Sequence, residues 1–388
     1  MSVGHRHPGT RRPLSMCLYT PSADPSGMGR HMLDLVAEYV PEHAVSFMCW
    51  PTAPGKRLLA LAAGLGATTL ALPHPREPAF HDVIEEFLRA RRTDVFHVHV
   101  GTGRENFDGA RAARAAGVPA VVQTQHLPWL LRSQAKRAPF FRGAREVDRL
   151  VAVSEALSQT YERIGVPAGE IATVPNGIGA RETRPGRLAA RRSLGLTPEQ
   201  PVVMTVGRLV TMKGHRDLIE SIPALLRRCP ELVLLIVGDG HLHGPLTKQV
   251  ADLGLVDRVR LLGHRRDARE LLDAADVFVL PSLHEGMPLA ALEAMEASLP
   301  VVATRVIGSE EVVVDGETGL LVPARNPRAL SGALAQLLAS PALRAQLGHA
   351  GRRRYLAKYT RRRMAEGTLA VYSQVLASAG ALPARNSR

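Results

Sequence analysis

Short apolar runs alternate with helix-period patterns from one end of this 388-residue chain to the other, and no other feature restricts its fold as much. A parallel sheet needs that alternation: each strand is buried on both faces, and a helix carries the chain back so that the next strand runs the same way. In the first half, strands are expected at 16–19, 45–48, 68–72, 95–100, 120–123, 150–153 and 171–174. Between them Met32, Leu35, Val36 and Tyr39 recur at helical spacing, as do Val83, Ile84, Phe87 and Leu88. After Pro175-Asn176-Gly177 the chain turns polar and Arg-rich up to Gln200, broken by Pro185, Gly186 and Pro198, as an interdomain linker does. A second cycle follows, with strands expected at 202–206, 233–237, 259–262, 277–280, 301–303 and 320–322. A last helix, marked by Met364, Thr368, Val371, Tyr372 and Val375, has no strand after it and is expected to return to the first domain.

The length suits two domains of ordinary size. Hydrophobic residues at 45% and charged residues at 22% exclude a disordered or fibrous chain. The net charge of +13 favours an anionic partner, either a phosphate-bearing small molecule, an acidic membrane face or nucleic acid. Nucleic acid is the weakest of these, because aromatic residues are only 4% and none alternate with basic ones as a base-stacking platform requires. Cys17, Cys49 and Cys229 form no Cys-x-x-Cys pair, which argues against a disulfide framework or a zinc site and for a reducing compartment. The apolar run behind the basic N-terminus is too short for a signal peptide, and no stretch is long enough to span a bilayer, so a cytoplasmic protein is expected.

In open parallel sheets, ligands bind at the carboxyl ends of strands, where loop amides and helix N-termini point. Val206-Gly207-Arg208-Leu209 followed by Lys213-Gly214 puts two cations at one such place, able to converge on a diphosphate. Taken alone, a solvated Arg and Lys on a loop is the plainer reading. Gly238-Asp239-Gly240 ends the next strand, and a lone Gly-x-Gly is more often a steric necessity than a binding loop. The strongest segment is 277–295: a buried strand, then Pro281, Ser282, Glu285, Gly286, Met287 and Pro288, with Pro288 expected at the first position of a helix carrying Leu289 and Glu293. Two acids can flank a scissile glycosidic bond, but hydrolysing a neutral glycoside needs no phosphate-seeking helix tip beside them. In the first half, Gly27 and Gly29 open the first helix, His99 ends one strand and His126 the next. Each histidine taken singly is more often structural than catalytic.

In this order and spacing the motifs resemble the retaining glycosyltransferases of the GT-B fold, family four, also called glycosyl transferases group 1. The most specific match is Glu285-x7-Glu293 with Pro281-Ser282 before it and Pro300-Val301-Val302-Ala303 after it. Val153-Ser154-Glu155, Val174-Pro175-Asn176-Gly177 and Asp315-Gly316-Glu317-Thr318-Gly319 stand in register. The resemblance implies an α/β protein of two Rossmann-like, doubly wound parallel-sheet domains facing across a cleft. Residues 1–13 would be a flexible extension, 14–178 the acceptor-binding domain, 179–200 a linker, 201–358 the donor-binding domain, and 359–380 a helix crossing back. It implies that Arg208 and Lys213 neutralise the donor diphosphate, Glu293 binds ribose, Glu285 contacts the transferred sugar, and Gly238, Asp239 and Gly240 belong to the donor site. The amides of Gly286, Met287 and Leu289 would meet the distal phosphate, with Gly29 beside the diphosphate. His126 would line the sugar and acceptor site, with Gly27 and His99 on the acceptor side. The catalytic set is then Glu285, His126, Arg208 and Lys213, acting by front-face transfer in which the leaving phosphate oxygen takes the acceptor proton.

No Asp-x-Asp pair occurs, so neither a metal nor a cofactor is expected. The donor expected is a nucleotide sugar, UDP-linked by preference, and the acceptor a soluble or lipid-linked hydroxyl. Pro288 removes one amide from the donor loop, Ser298 replaces a common Gly, and Ile307-Gly308 stands where a Gly pair is frequent. A nucleotide-sugar 2-epimerase and a catalytically silent binding partner share the architecture and remain alternatives. The segment 129–142 mixes basic and apolar residues and suits an anionic bilayer, although a loop over the acceptor cleft is the favoured reading. The Arg- and Ala-rich composition points to a GC-rich bacterial source.

Overall fold

The computed structural model describes residues 12–23, 26–101, 107–128 and 137–380. Most of the expected N-terminal extension, Pro25 and the stretch 129–136 of the basic and apolar segment lie outside them. In chain order the first cycle is β1 (Ser15–Thr20), α1 (Ser26–Tyr39), β2 (Ala44–Cys49), α2 (Ala53–Gly64), β3 (Thr68–Ala71), α3 (Phe80–Ala90), β4 (Val95–Val100), α4 (Asp108–Ala115), β5 (Ala120–Gln125), α5 (Arg137–Ala144), β6 (Arg149–Ala152), α6 (Glu155–Glu162) and β7 (Ile171–Thr173). The second is α7 (Arg187–Ser193), β8 (Val202–Val206), α8 (His215–Leu226), β9 (Val233–Val237), α9 (His243–Asp252), β10 (Val259–Leu261), α10 (Ala268–Leu271), β11 (Val277–Leu280), α11 (Leu289–Glu296), β12 (Val301–Thr304), α12 (Ser309–Val312), β13 (Gly319–Val322), α13 (Pro327–Ala339) and α14 (Pro341–Lys358), before a final α15 (Arg361–Ser378).

Every strand that the apolar runs predict is present, within a residue or two at either end. The central strands are buried along their whole length, β4 and β5 at all positions and β9 and β11 likewise, as a sheet covered on both faces demands. Helix starts follow local chemistry. Thr52 accepts from the Gly55 amide ahead of α2, Ser154 from Leu157 ahead of α6, and Ser340 from Leu343 ahead of α14, each satisfying an amide that the first turn leaves open.

The strands form two parallel sheets, ordered β3-β2-β1-β4-β5-β6-β7 and β10-β9-β8-β11-β12-β13. In each, the chain starts in the interior, winds to one edge, then returns and winds to the other. That leaves a topological switch point between β1 and β4 in the first sheet and between β8 and β11 in the second. Each sheet belongs to its own compact unit: the described residues up to Gly177 with those from Arg361 onward, and Ile178–Thr360. The last helix is therefore part of the first unit. Its Met364, Leu369, Tyr372 and Val375 join the same apolar cluster as Leu18, Met32, Leu35 and Phe47, and Tyr39 Oη donates to the Ala365 carbonyl at 2.9 Å. The second unit has a separate core around Val203, Ile219, Leu234, Val279 and Leu334.

The Arg-rich stretch 179–200 is not a free linker. It lies within the second unit and contains α7. Arg181 pairs with Glu296 (Nε–Oε2 2.8 Å) and Asp273 (2.8 Å), Arg187 with Asp276 (2.7 Å), and Arg191 with Asp276 (2.9 Å). Arg191 is 1% exposed and also donates to the Thr197, Pro198 and Gln200 carbonyls. Polarity along the sequence suggested a solvated connector. The neutralising acids lie more than seventy residues further on, where a local reading of composition does not find them.

Candidate active site

In the second unit, the loops leaving β8 and β11 meet at the switch point. The β8 loop runs through Arg208 into a 3-10 turn at Thr211–Lys213, and the Leu283 amide of the β11 loop donates to the Met212 carbonyl at 2.7 Å. Gly214 caps α8 with φ +66°, and a Cβ there would sit 1.9 Å from the Pro281 carbonyl oxygen, so only glycine lets the two loops close on each other. This packing brings Lys213 Nζ to 2.6 Å from Glu285 Oε1, and Ser282 Oγ donates to the same oxygen at 2.6 Å. Glu285 is 4% exposed, whereas the Lys213 side chain keeps 21% of its surface open. A buried carboxylate costs several kcal/mol unless paired, and here an ammonium and a hydroxyl both serve it.

The β9 loop closes the other flank. The Leu209 amide donates to the Asp239 carbonyl at 2.9 Å, and the exposed Asp239 turns its Oδ1 back to the Gly240 amide at 2.7 Å, with Gly238 before it. Arg208 is exposed beside this contact. On the β11 side, Pro288 is the residue preceding α11 and not its first residue, so the helix opens at Leu289, after buried Gly286 and Met287. Gly308, with φ +80°, lies so close that a Cβ would meet the Gly286 carbonyl oxygen at 2.1 Å, which fixes the β11 loop from the β12 side. Glu293 faces a different partner from Glu285: Arg269 Nε stands 3.6 Å from Glu293 Oε1, and Arg269 also donates to the Gly179 carbonyl at 2.8 Å. One turn on, Glu296 is fully buried between Arg181 and Arg184, with Arg269 and Arg352 near it. Burial pushes its carboxyl up, but the guanidiniums of Arg181 and Arg184 outweigh that and hold it below the usual range.

In the first unit, the expected site residues gather at the other switch point. Gly27 is exposed and Gly29 buried in the first turn of α1. His99 Nδ1 lies 3.3 Å from His126 Nε2, and His31 joins them from α1, its ring centroid 4.7 Å from that of His126 and 5.2 Å from that of His99. His31 Nδ1 is 2.9 Å from Asn176 Oδ1. Beneath them His97 is held on both nitrogens, by Tyr372 Oη and by Thr124 Oγ1 at 2.7 Å. Burial drives all four imidazoles toward the neutral form: His31 down to about 4, and His97, His99 and His126 well below the ordinary value, neighbouring rings pushing the last three the same way.

Sequence reasoning named the cations, the glutamates, His99 and His126, but missed His31, Asn176, His215, Arg269 and Glu296 as parts of these neighbourhoods. His215 is buried at the start of α8, and burial with Lys213 nearby takes it down to about 4. The signal for His31 was a polar residue on the buried face of an amphipathic helix, among Met28, Met32 and Leu35. Arg269 and Glu296 carried no signal, because their roles come only from pairing across the fold.

Two family models match in tandem: Glycosyltransferase Family 4 over residues 25–181 and Glycosyl transferases group 1 over residues 187–354. Among characterised relatives, a lipopolysaccharide core biosynthesis glycosyltransferase, LpsE, of Rhizobium meliloti is 34% identical over 60% of this chain and 65% of its own length. A UDP-Gal:alpha-D-GlcNAc-diphosphoundecaprenol alpha-1,3-galactosyltransferase of Escherichia coli is 32% identical over 61% and 64%. The matched region thus spans slightly less than two thirds of these relatives. The fold is that of Anabaena HepE, crystallised with UDP (TM-score 0.80, 20% identity, 93% of this chain and 100% of that one). It is also that of sucrose-phosphate synthase from Thermosynechococcus elongatus (TM-score 0.76, 23% identity, 95% and 100%). With both halves matched in order and the two doubly wound sheets of the GT-B class in place, the chain belongs to the family-four, group 1 glycosyltransferases.

Proposed function

We propose that this protein transfers a sugar from a nucleoside-diphosphate sugar, UDP-linked by preference, to a hydroxyl acceptor, without a metal and with retention of anomeric configuration. The observation that carries the reading is the meeting of Lys213 and Glu285 at the switch point of the second sheet. That crevice is where open α/β sheets bind ligands, and the pair sets a cation for phosphate beside an acceptor for sugar hydroxyls. In this reading Arg208 and Lys213 stabilise charge that grows on the leaving diphosphate, the task a metal performs elsewhere. Glu293 takes the ribose hydroxyls, Glu285 the transferred sugar, and Gly238, Asp239 and Gly240 shape the donor loop. The first turn of α11 and the loop through Gly286 and Met287 take the distal phosphate; Pro288 offers no N–H, so Leu289 is the first helical amide.

Acceptor binding is assigned to the first unit, through Gly27, His99 and His126, while Gly29 keeps its donor-side assignment. A neutral His126, which its burial favours, suits a hydrogen-bond partner of a sugar hydroxyl better than a general base, consistent with the leaving phosphate taking the acceptor proton. UDP is favoured by the UDP-bound neighbour and by the UDP-galactose-dependent relative, whose lipid-linked acceptor also makes a polyprenol-diphosphate glycan an acceptor worth testing. The test is a panel of nucleotide sugars with lipid-linked and soluble acceptors, with and without chelator. Product masses should report a transferred hexose, and the NMR coupling of the new anomeric proton should match the donor's configuration. Isomerised donor without transfer, an inverted product, or activity abolished by chelator would each overturn the corresponding part.

A further inference from the structure

The imidazoles of His31, His99 and His126 come from α1, the end of β4 and the residue after β5, so three separate elements aim them at one point. Each offers a ring nitrogen within 4.8 Å of the other two. Asn176 Oδ1 can only accept, so His31 Nδ1 carries the hydrogen and donates, and the lone pair of this neutral ring is left on Nε2. That Nε2 is buried without a hydrogen-bond partner. Between His99 Nδ1 and His126 Nε2 only one hydrogen is needed, and their 3.3 Å separation is close to the edge of a tetrahedron of nitrogens about 2.0–2.1 Å from a central ion. An unpartnered buried nitrogen costs roughly 1–3 kcal/mol, so such a cluster calls for something to share its lone pairs.

We infer that His31, His99 and His126 form a three-imidazole site for a borderline divalent transition metal, Zn2+ being the type case, with Asn176 as the outer partner that orients His31. Neutral imidazoles and no carboxylate select zinc, cobalt, nickel or copper over magnesium or calcium, which want oxygen. Three histidines leave one coordination position open, and His126, only partly buried, is the side from which an ion enters. None of the three histidines is among the residues assigned to the donor diphosphate. On the assignment of His126 to sugar and acceptor, a bound ion and the acceptor exclude one another, so the same metal would inhibit transfer.

The test uses the untagged full-length chain, stripped with chelator and titrated with Co2+, read by the visible ligand-field band of four-coordinate cobalt and by elemental analysis. One Co2+ per chain is expected, displaced by Zn2+. His31→Gln and His99→Gln should each lose the band. Asn176→Ala, which keeps all three rings, should weaken binding about 10–100-fold. The exposed pair His241→Gln with His243→Gln should leave the band unchanged. Trp50 fluorescence and circular dichroism check that each variant has folded. Absence of saturable Co2+ binding, a band that survives in folded His31→Gln, or one that disappears with His241 and His243 overturns the inference. UDP binding is scored separately, so a failure here and a failure of the glycosyltransferase reading are told apart.

Discussion

Acid should weaken the first unit far more than the second. In the unfolded chain a histidine titrates near 6.5, whereas buried His31 titrates at about 4, because desolvation of the charged ring outweighs the bond to Asn176. Between those values the unfolded state binds more protons than the folded one, so stability rises with pH. The contribution is complete above about 6.5 and is lost progressively as the pH falls toward 4. Going from pH 7.5 to pH 5 crosses roughly 1.5 units of that window at about 1.4 kcal/mol each, so His31 alone costs about 2 kcal/mol. His97, His99 and His126 add to it in the same direction within the same unit, whereas the second unit holds only His215, at about 4, among its strongly shifted histidines. The assay is urea unfolding at the two pH values. Trp50 belongs to the first unit and the sequence of the second unit, 178–360, holds no tryptophan, so fluorescence does not report on the second unit while circular dichroism follows both. The fluorescence midpoint should drop by an amount equivalent to 2 kcal/mol or more, and the two probes should separate as the pH falls. A fluorescence midpoint unchanged or raised at pH 5 would refute the burial of neutral imidazoles.

Three further outcomes follow from packing and charge. Glu296→Gln strips the buried carboxylate from Arg181, whose side chain is 2% exposed, and should cost the second unit about 3–5 kcal/mol in urea unfolding followed by circular dichroism; a loss below about 1 kcal/mol would contradict the buried Arg181–Glu296 pair. Gly214→Ala must place a Cβ 1.9 Å from the Pro281 carbonyl oxygen at a left-handed φ, so a loss of roughly 1–3 kcal/mol is expected, whereas Gly244→Ala, with open space around it inside α9, should be neutral or slightly stabilising. Lys213→Ala and Glu285→Gln should be non-additive in a double-mutant cycle, with a coupling of about 1–3 kcal/mol in stability; additive effects would mean that the 2.6 Å pair does not form.

Much of this molecule was legible from period and spacing. The β4 sequence VFHVHV is apolar enough to read as a buried strand, and His99 could be placed at the strand's carboxyl end from the sequence alone. The local geometry around Glu285 and Glu293 was legible for the same reason: the two stand in one continuous strand-loop-helix, where local sequence decides local structure. What escaped was set by contacts distant in sequence. Nothing near Arg191 announces Asp276, and nothing near His31 announces Asn176, 145 residues away. Composition therefore turned a folded Arg-rich strap into a linker, and proline's preference for the first helical position placed Pro288 inside a helix that begins one residue later.

The central claim is that the second unit's switch point grips a nucleoside diphosphate. Calorimetric titration of the full chain with UDP, without added metal, tests it most directly. Saturable binding at one site is expected, weakened at least about tenfold in Arg208→Ala and in Lys213→Ala, each of which removes one charge-assisted contact. No heat of binding for UDP or for any other nucleoside diphosphate, or an affinity that neither substitution changes, would contradict the account.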